Sequence, residues 1–354
     1  MPKSLDQLLS DAGLTASAPA RVPVQSVTDC SRDAVPGSLF VAVRGTKTDA
    51  RRFIPDAISR GAVAVVADGI DSMPEPAREC LAARAGDVTL VAVPDARRAL
   101  ALLAHAWFDH PARALKVAGV TGTNGKTTVT HYLESIFKAA GLKPGVMGTI
   151  EYRSAETRSP ALTTTPSPLV IAALLDRIRR EGGRAAALEI SSHGIDQARV
   201  DGLVFDAAIM TNLTRDHIDY HKTMEAYGAV KRRFFFSRAA GEEPRAAIFN
   251  ADDAFSAGMA AEYRGRRFTY GIDHPADFAA FRIEEGERDS RFVMRTPDGG
   301  HCPVRLALPG RYNILNALAA AAAAVAMDIP ISVIVQGLET MTVVPGRCQR
   351  IDVG

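Results

Sequence analysis

The sequence predicts an α/β protein of two domains, and three observations carry that prediction. At 354 residues the chain is too long for one ordinary core, given about one domain per 100–200 residues. Short apolar runs alternate with helix-like segments along most of its length. From Lys116 onward the runs have the wholly apolar character of strands buried on both faces of a mostly parallel sheet.

Residues 1–94 read as a small α/β domain. Leu39 to Gly45 (LFVAVRG) forms a strand, Phe53 to Gly61 a helix, and Ala62 to Asp68 and Val88 to Val93 two more strands. A helical stretch then follows Asp95, whose carboxylate can cap it, and Pro111 ends it. A larger domain is expected over 95–346. In it the strand KVAGVTG runs into a helix from Lys126 to Ala140, and PGVMGTI forms a strand before a helix from Ser167 to Arg180. Three further strands lie in AAALEIS, FDAAIMTNL and AAIFNA. LALPG reads as a turn before a long buried helix through RYNILNALAAAAAAVAM, and after ISVIVQGLETM and the turn VVPGR residues 347–354 read as the start of a linker.

Composition narrows the function. With 47% hydrophobic and 23% charged residues, the chain can bury substantial cores. Its 42 basic and 40 acidic side chains leave a net +2, which supplies no general field for nucleic acid or an anionic membrane. Any anion must be held locally. The first residues lack the apolar centre of a signal peptide and no run is long enough to cross a bilayer, so a cytoplasmic protein is expected. The four cysteines fit neither a disulfide framework nor a zinc pattern and are expected as free thiols. Nothing signals an oligomer, so a monomer is expected.

The sharpest motif is GVTGTNGKTT, Gly119 to Thr128, where an apolar strand enters glycines and a helix start. Backbone N–H groups and the helix dipole there converge on an anion. Gly122 and Gly125 admit phosphate oxygens, Thr123, Asn124 and Thr128 complete the loop, Lys126 neutralises the β and γ phosphates, and the Thr127 hydroxyl ligates magnesium. The usual spacing would put glycine at position 120, where this chain has Val120. A second cluster, LEISSHGIDQARV, places Glu189 at a strand end as a magnesium ligand or a loop cap, with His193 read as a hydrogen-bonded core residue. In a third, TNLTRDHIDYH, Asp216 and His217 follow another strand and suggest a second metal beside the triphosphate. Lys231, in EAYGAVKRRFFF, reads from chemistry alone as part of a basic helix face.

Together, TGTNGKTT, TTTP, EISSHG, NLTRDHIDYH and the early segment CSRDAVPGSLFVAVRGTKTD resemble the Mur ligases over nearly the whole chain. The resemblance implies a uridine-binding first domain, a P-loop NTPase-like central domain and an ATP-dependent ligase of cell-wall peptidoglycan synthesis. The branch it implies adds the third amino acid, meso-diaminopimelate or L-lysine, to UDP-N-acetylmuramoyl-L-alanyl-D-glutamate through an acyl phosphate. It also implies that Thr127 and Glu189 hold one magnesium and His217 a second, and that Lys231 is carbamylated by carbon dioxide to support it. Ser31, Thr164, Thr165, Ser191, Gln197 and Arg199 are implied to hold the precursor, Asn313 and Asn316 to lie near the ATP base, and Arg347 at a hinge. Cys30, Thr163 and Ala50 depart from the family pattern, where aspartate, asparagine and glycine are usual. The family continues into a third, Rossmann-like domain, so the chain is read as a shortened form. The alternatives are a binding module that needs a partner for catalysis and a related ligase outside the wall pathway.

Overall fold

A computed structural model describes residues 2–15, 21–45, 48–236 and 242–344; Arg347 and Cys348 lie outside the described residues. The chain divides into two compact units. The first comprises residues 1–111 with 167–173 and 197–202, the second 112–166, 174–196 and 203–354.

In the first unit, a short antiparallel pair, β1 (Lys3–Ser4) and β2 (Pro23–Val24), flanks helix α1 (Leu5–Asp11). The main sheet holds β3 (Ser26–Thr28), β4 (Ser38–Ala42), β5 (Ala62–Ala67) and β6 (Thr89–Ala92), all parallel and in that order. Alternate residues of β4 and β5 feed two cores. Leu39, Val41, Ala64 and Val66 pack with α1 and with α4 (Ala96–Trp107). Phe40, Ala42, Val65 and Ala67 pack with α2 (Ile54–Ser59) and α3 (Glu75–Ala83). That division follows from the two-residue period of a strand. Helix α3 has no counterpart in the sequence reading; Pro74 before it, Pro76 within it and sparse apolar residues leave no clear period.

The Asp95 side chain accepts hydrogen bonds from the N–H groups of Arg97 and Arg98, so α4 starts where its cap predicts. Asp95→Ala is expected to cost about 1 kcal/mol of stability. The chain's one tryptophan, Trp107, ends this helix, and its fluorescence in a urea titration reads the loss directly.

The second unit is built on an eleven-stranded sheet in the order β10-β9-β8-β11-β7-β12-β13-β14-β15-β16-β17. Its parallel centre contains β8 (Gly145–Met147), β11 (Ala185–Glu189), β7 (Lys116–Thr121), β12 (Ala207–Met210), β13 (Ala247–Asn250) and β14 (Arg267–Gly271). An antiparallel hairpin, β9 (Glu151–Arg153) with β10 (Arg158–Pro160), closes one edge. At the other, β15 (Phe278–Glu285) continues parallel to β14, then β16 (Ser290–Arg295) and β17 (His301–Leu306) run antiparallel. The sequence reading assigned no strands to residues 278–306. They alternate in burial but carry charges on the outer face, so they lack the uninterrupted apolar runs of the central strands.

Helices α5 (Lys126–Ala139), α11 (Arg311–Ala326) and α12 (Ile331–Thr340) pack with the sheet in one core. Residues Ala317 and Ala319 to Ala324 of α11 are fully buried, as the sequence required of an apolar helix too short for a membrane. Among the described residues no helix is long and apolar enough to cross one.

Candidate active site

Strand β7 fixes the site. It lies between β11 and β12, with Glu189 in register with Val120 and Met210 with Thr121, so three strand ends open at one level. The chain passes from β7 to strands on both sides of it, which is the switch point where open α/β sheets bind ligands. A cavity of about 610 Å3 occupies that position, lined by Gly122 to Thr128, Thr149, Thr164, Glu189, Ser191, Asp216, His217, Lys231, Asn313 and Asn316 among others. Most of the sequence-expected residues of the second unit therefore surround one space.

The loop between β7 and α5 is held from below by the end of β12. Thr211 Oγ1 donates to the Asn124 carbonyl at 2.6 Å, Asn212 Oδ1 accepts from Asn124 N–H at 3.0 Å, and Thr123 Oγ1 donates to the Thr214 carbonyl at 3.1 Å. Gly122 has φ +141°, and a Cβ there would collide with the Thr211 hydroxyl. Only glycine fits that close approach. Lys126 Nζ turns back onto the carbonyls of Gly122 and Thr123 at 2.9 and 2.8 Å. Thr127, at the first turn of α5, is buried, and His131 Nδ1 lies 2.8 Å from its carbonyl. Asn313 donates to the Pro309 carbonyl at 2.8 Å, which sets the start of α11 against the cavity.

Glu189 is 1% exposed at the end of β11. Among the described residues its two oxygens accept from Thr149 alone, one from the N–H and one from the hydroxyl, each at 3.0 Å. No cation lies within salt-bridge distance of it among the described residues. Thr149 was not singled out from the sequence, although it stands two residues after β8 at the same sheet edge. A side chain at Gly148 would meet the Glu189 carboxylate, so this glycine keeps the space in which the acid sits.

Lys231 reverses the basic-face reading made from its neighbours. It lies on α9 (Met224–Phe236) and is 1% exposed, while Arg232 and Arg233 turn outward to Glu262 and Asp196. Its Nζ donates to the Gly122 carbonyl at 2.9 Å, the same oxygen that receives Lys126, and stands 4.6 Å from the centre of the Tyr227 ring. Burial, and then the Lys126 charge, push its pKa well below the ordinary lysine value. The shift favours the neutral amine over the ammonium.

His217 is 42% exposed by side chain with Nε2 3.6 Å from Asp216, and its ring meets His193 edge-on. His221, whose pKa burial and then His193 lower, places Nε2 2.8 Å from Ser192 Oγ and ties the loops after β11 and β12 together. Thr164 reaches the cavity, whereas the buried Thr165 hydroxyl donates to the Glu189 carbonyl at 2.8 Å and accepts from Ser191 N–H at 2.9 Å. Ser31 belongs to the first unit, in the turn Ser31–Asp33, and its hydroxyl with Arg60 holds the Asp56 carboxyl below the usual range. Gln197 and Arg199 also belong to that unit; Gln197 Oε1 accepts from Arg199 at 2.7 Å.

Sequence comparison decides the family. Residues 120–324, more than half of the chain, match the Mur ligase middle domain, and residues 23–108 match the Mur ligase family catalytic domain. The chain belongs to the Mur ligase family. A relative from Geobacillus thermodenitrificans, named UDP-N-acetylmuramoyl-L-alanyl-D-glutamate–2,6-diaminopimelate ligase, is 38% identical over 327 residues. That match covers 92% of this chain and 64% of the relative, so the chain spans just under two thirds of that Mur ligase's length. A solved structure of a ligase of the same name superposes with a TM-score of 0.81 at 27% identity, covering 99% of this chain and 70% of the other. The MurF ligase of Thermotoga maritima, solved in complex with ADP, shares the fold at TM-score 0.59 and 20% identity, covering 92% and 67%. The α/β architecture expected from the sequence is thus that of Mur ligase N-terminal and central domains.

Proposed function

We propose that this chain carries the nucleotide-binding and precursor-binding parts of an ATP-dependent ligase that joins 2,6-diaminopimelate to UDP-N-acetylmuramoyl-L-alanyl-D-glutamate. The observation that carries the proposal is the convergence, at three neighbouring strand ends, of a phosphate loop, a buried carboxylate with no cation beside it among the described residues and a buried lysine of lowered pKa around one cavity. The names of the relatives support diaminopimelate over lysine as the incoming amino acid.

The side chains suit magnesium. Glu189 offers a buried carboxylate with no cation beside it among the described residues, and Thr127 lines the same cavity. Among the described residues no three His, Cys, Asp or Glu side chains converge on one point, which fits an ion held mainly by phosphate oxygens. Thr127 and Glu189 would hold one magnesium, and His217 with carbamylated Lys231 a second; bound there, magnesium would spread the charge of the reacting phosphates. Lys126 would leave the loop carbonyls for the β and γ phosphates, and the N–H groups of Gly122 to Thr128 would surround them. Asn313 and Asn316 would flank the base. Ser31, Thr164, Ser191, Gln197 and Arg199 would hold the precursor, with Thr165 bracing the loop beneath.

In the reaction this reading assigns, a precursor carboxylate oxygen attacks the γ phosphorus and ADP leaves. The amine then attacks the acyl carbon, loses a proton, and expels phosphate. The protein's task is position and charge. Calorimetry with ATP and with the UDP-dipeptide, followed by phosphate release with and without each amino acid, tests the reading. Binding of both ligands and release that requires diaminopimelate is the expected result. Binding without turnover would favour a module that acts with a partner, and no precursor binding would refute the assignment.

A further inference from the structure

Resting on that reading, we propose that Thr149 is a positioning residue through which the precursor tightens magnesium binding at Glu189. Its hydroxyl sits between the two ligands' side chains. It donates to Glu189 Oε2 at 3.0 Å and lies 3.1 Å from Thr164 Oγ1, while its N–H occupies Glu189 Oε1. All three residues line the cavity.

A hydroxyl has one proton to give. With that of Thr149 committed to the carboxylate, Thr164 is the donor in the threonine pair. The chain Thr164 to Thr149 to Glu189 therefore runs in one direction, and each bond polarises the next. Donation from Thr164 makes Thr149 the stronger donor and draws charge from the carboxylate oxygen that a cation would use. A precursor oxygen that takes the Thr164 proton ends this support. The Thr149 bond to Glu189 weakens, and the acid regains basicity toward a metal. Linkage then requires the reverse effect, magnesium tightening the precursor by the same factor. Gly148 keeps the arrangement compact, because no side chain fits between this backbone and Glu189.

The test is the magnesium concentration that half-saturates ADP binding to this chain, by equilibrium dialysis with labelled ADP, with and without saturating UDP-dipeptide. The wild-type protein is expected to need about five-fold less magnesium when the precursor is present, the lower end of measured couplings. Thr149→Val keeps the shape and the N–H bond but should bring that ratio close to one, with ADP and precursor each still binding. Thr149→Ser should restore it. An unchanged melting temperature in the valine variant separates this from a general loosening of the site. A wild-type ratio near one with both ligands bound, or a valine variant that keeps the wild-type ratio, would overturn the coupling and leave the proposed function standing. Failure of the wild-type chain to bind the precursor at all would overturn the functional reading, and the coupling with it.

Discussion

Lys231→Ala should reduce ligase turnover by at least about 10²-fold, the scale of losing one fixed charge-stabilising group in a water-poor site. The burial of Lys231 favours the modification on which this proposal rests. Carbamate formation needs a free amine lone pair: nitrogen bonds to the carbon of carbon dioxide, a proton leaves, and a neutral amine becomes an anionic carbamate. Burial and the neighbouring Lys126 lower the pKa of that amine and so favour the form that carries the lone pair, where an exposed lysine would be almost wholly protonated. Protein equilibrated with carbon-13 bicarbonate should show a carbamate resonance that disappears in the alanine variant, and short carboxylic acids should return part of the activity. An alanine variant with full turnover, or a labelled wild type without the resonance, would end the assignment.

The same burial has an opposite consequence for stability. Between its lowered folded pKa and about pH 10.5, an unmodified Lys231 is more protonated in the unfolded chain than in the fold, so the unfolded state binds the extra proton. Stability therefore rises with pH across the interval between the lowered folded value and the ordinary one. In protein freed of carbon dioxide, Lys231→Met should be more stable than wild type at neutral pH, and the gain should fade as the pH approaches 10.5. A site that is costly to the fold and indispensable to turnover is the usual pattern at functional centres.

Lys126→Met is expected to weaken binding of magnesium ADP by about 10²-fold or more, because the only cation on the loop that faces the phosphates is lost. A second effect follows from geometry. Lys126 and Lys231 share the Gly122 carbonyl, and the Lys126 charge is one of the two causes that lower the Lys231 pKa. Removing it should let that pKa rise and slow carbamate formation near neutral pH. Calorimetric titration reads the first effect and the labelled resonance the second; tight ADP binding by the variant would show that Lys126 is not the phosphate cation.

The parts of this site that were legible in the sequence are those written in consecutive residues. GTNGKTT and the strands ending at Glu189 and Met210 announce themselves because a buried parallel strand must be apolar throughout and its first polar residue marks its exit. Thr149 was illegible for the converse reason: it follows a strand of three residues, and its meaning depends on Glu189, forty positions later. Lys231 misled because Arg232 and Arg233 give it a solvated neighbourhood in sequence while the helix turns it inward. The strands over 278–306 escaped because one face meets water.

The resting position of Lys126 bears on which anions can compete for the loop. Two carbonyls, those of Gly122 and Thr123, already satisfy its ammonium. An incoming anion must replace both bonds before it gains anything. Orthophosphate or sulfate, with a single compact centre, offers little beyond that exchange. A polyphosphate meets the freed ammonium at one end while its other groups take the backbone N–H donors, so its gain exceeds what it displaces. On the proposed function, the loop would thereby discriminate by length against orthophosphate, using an internal competitor built from its own main chain.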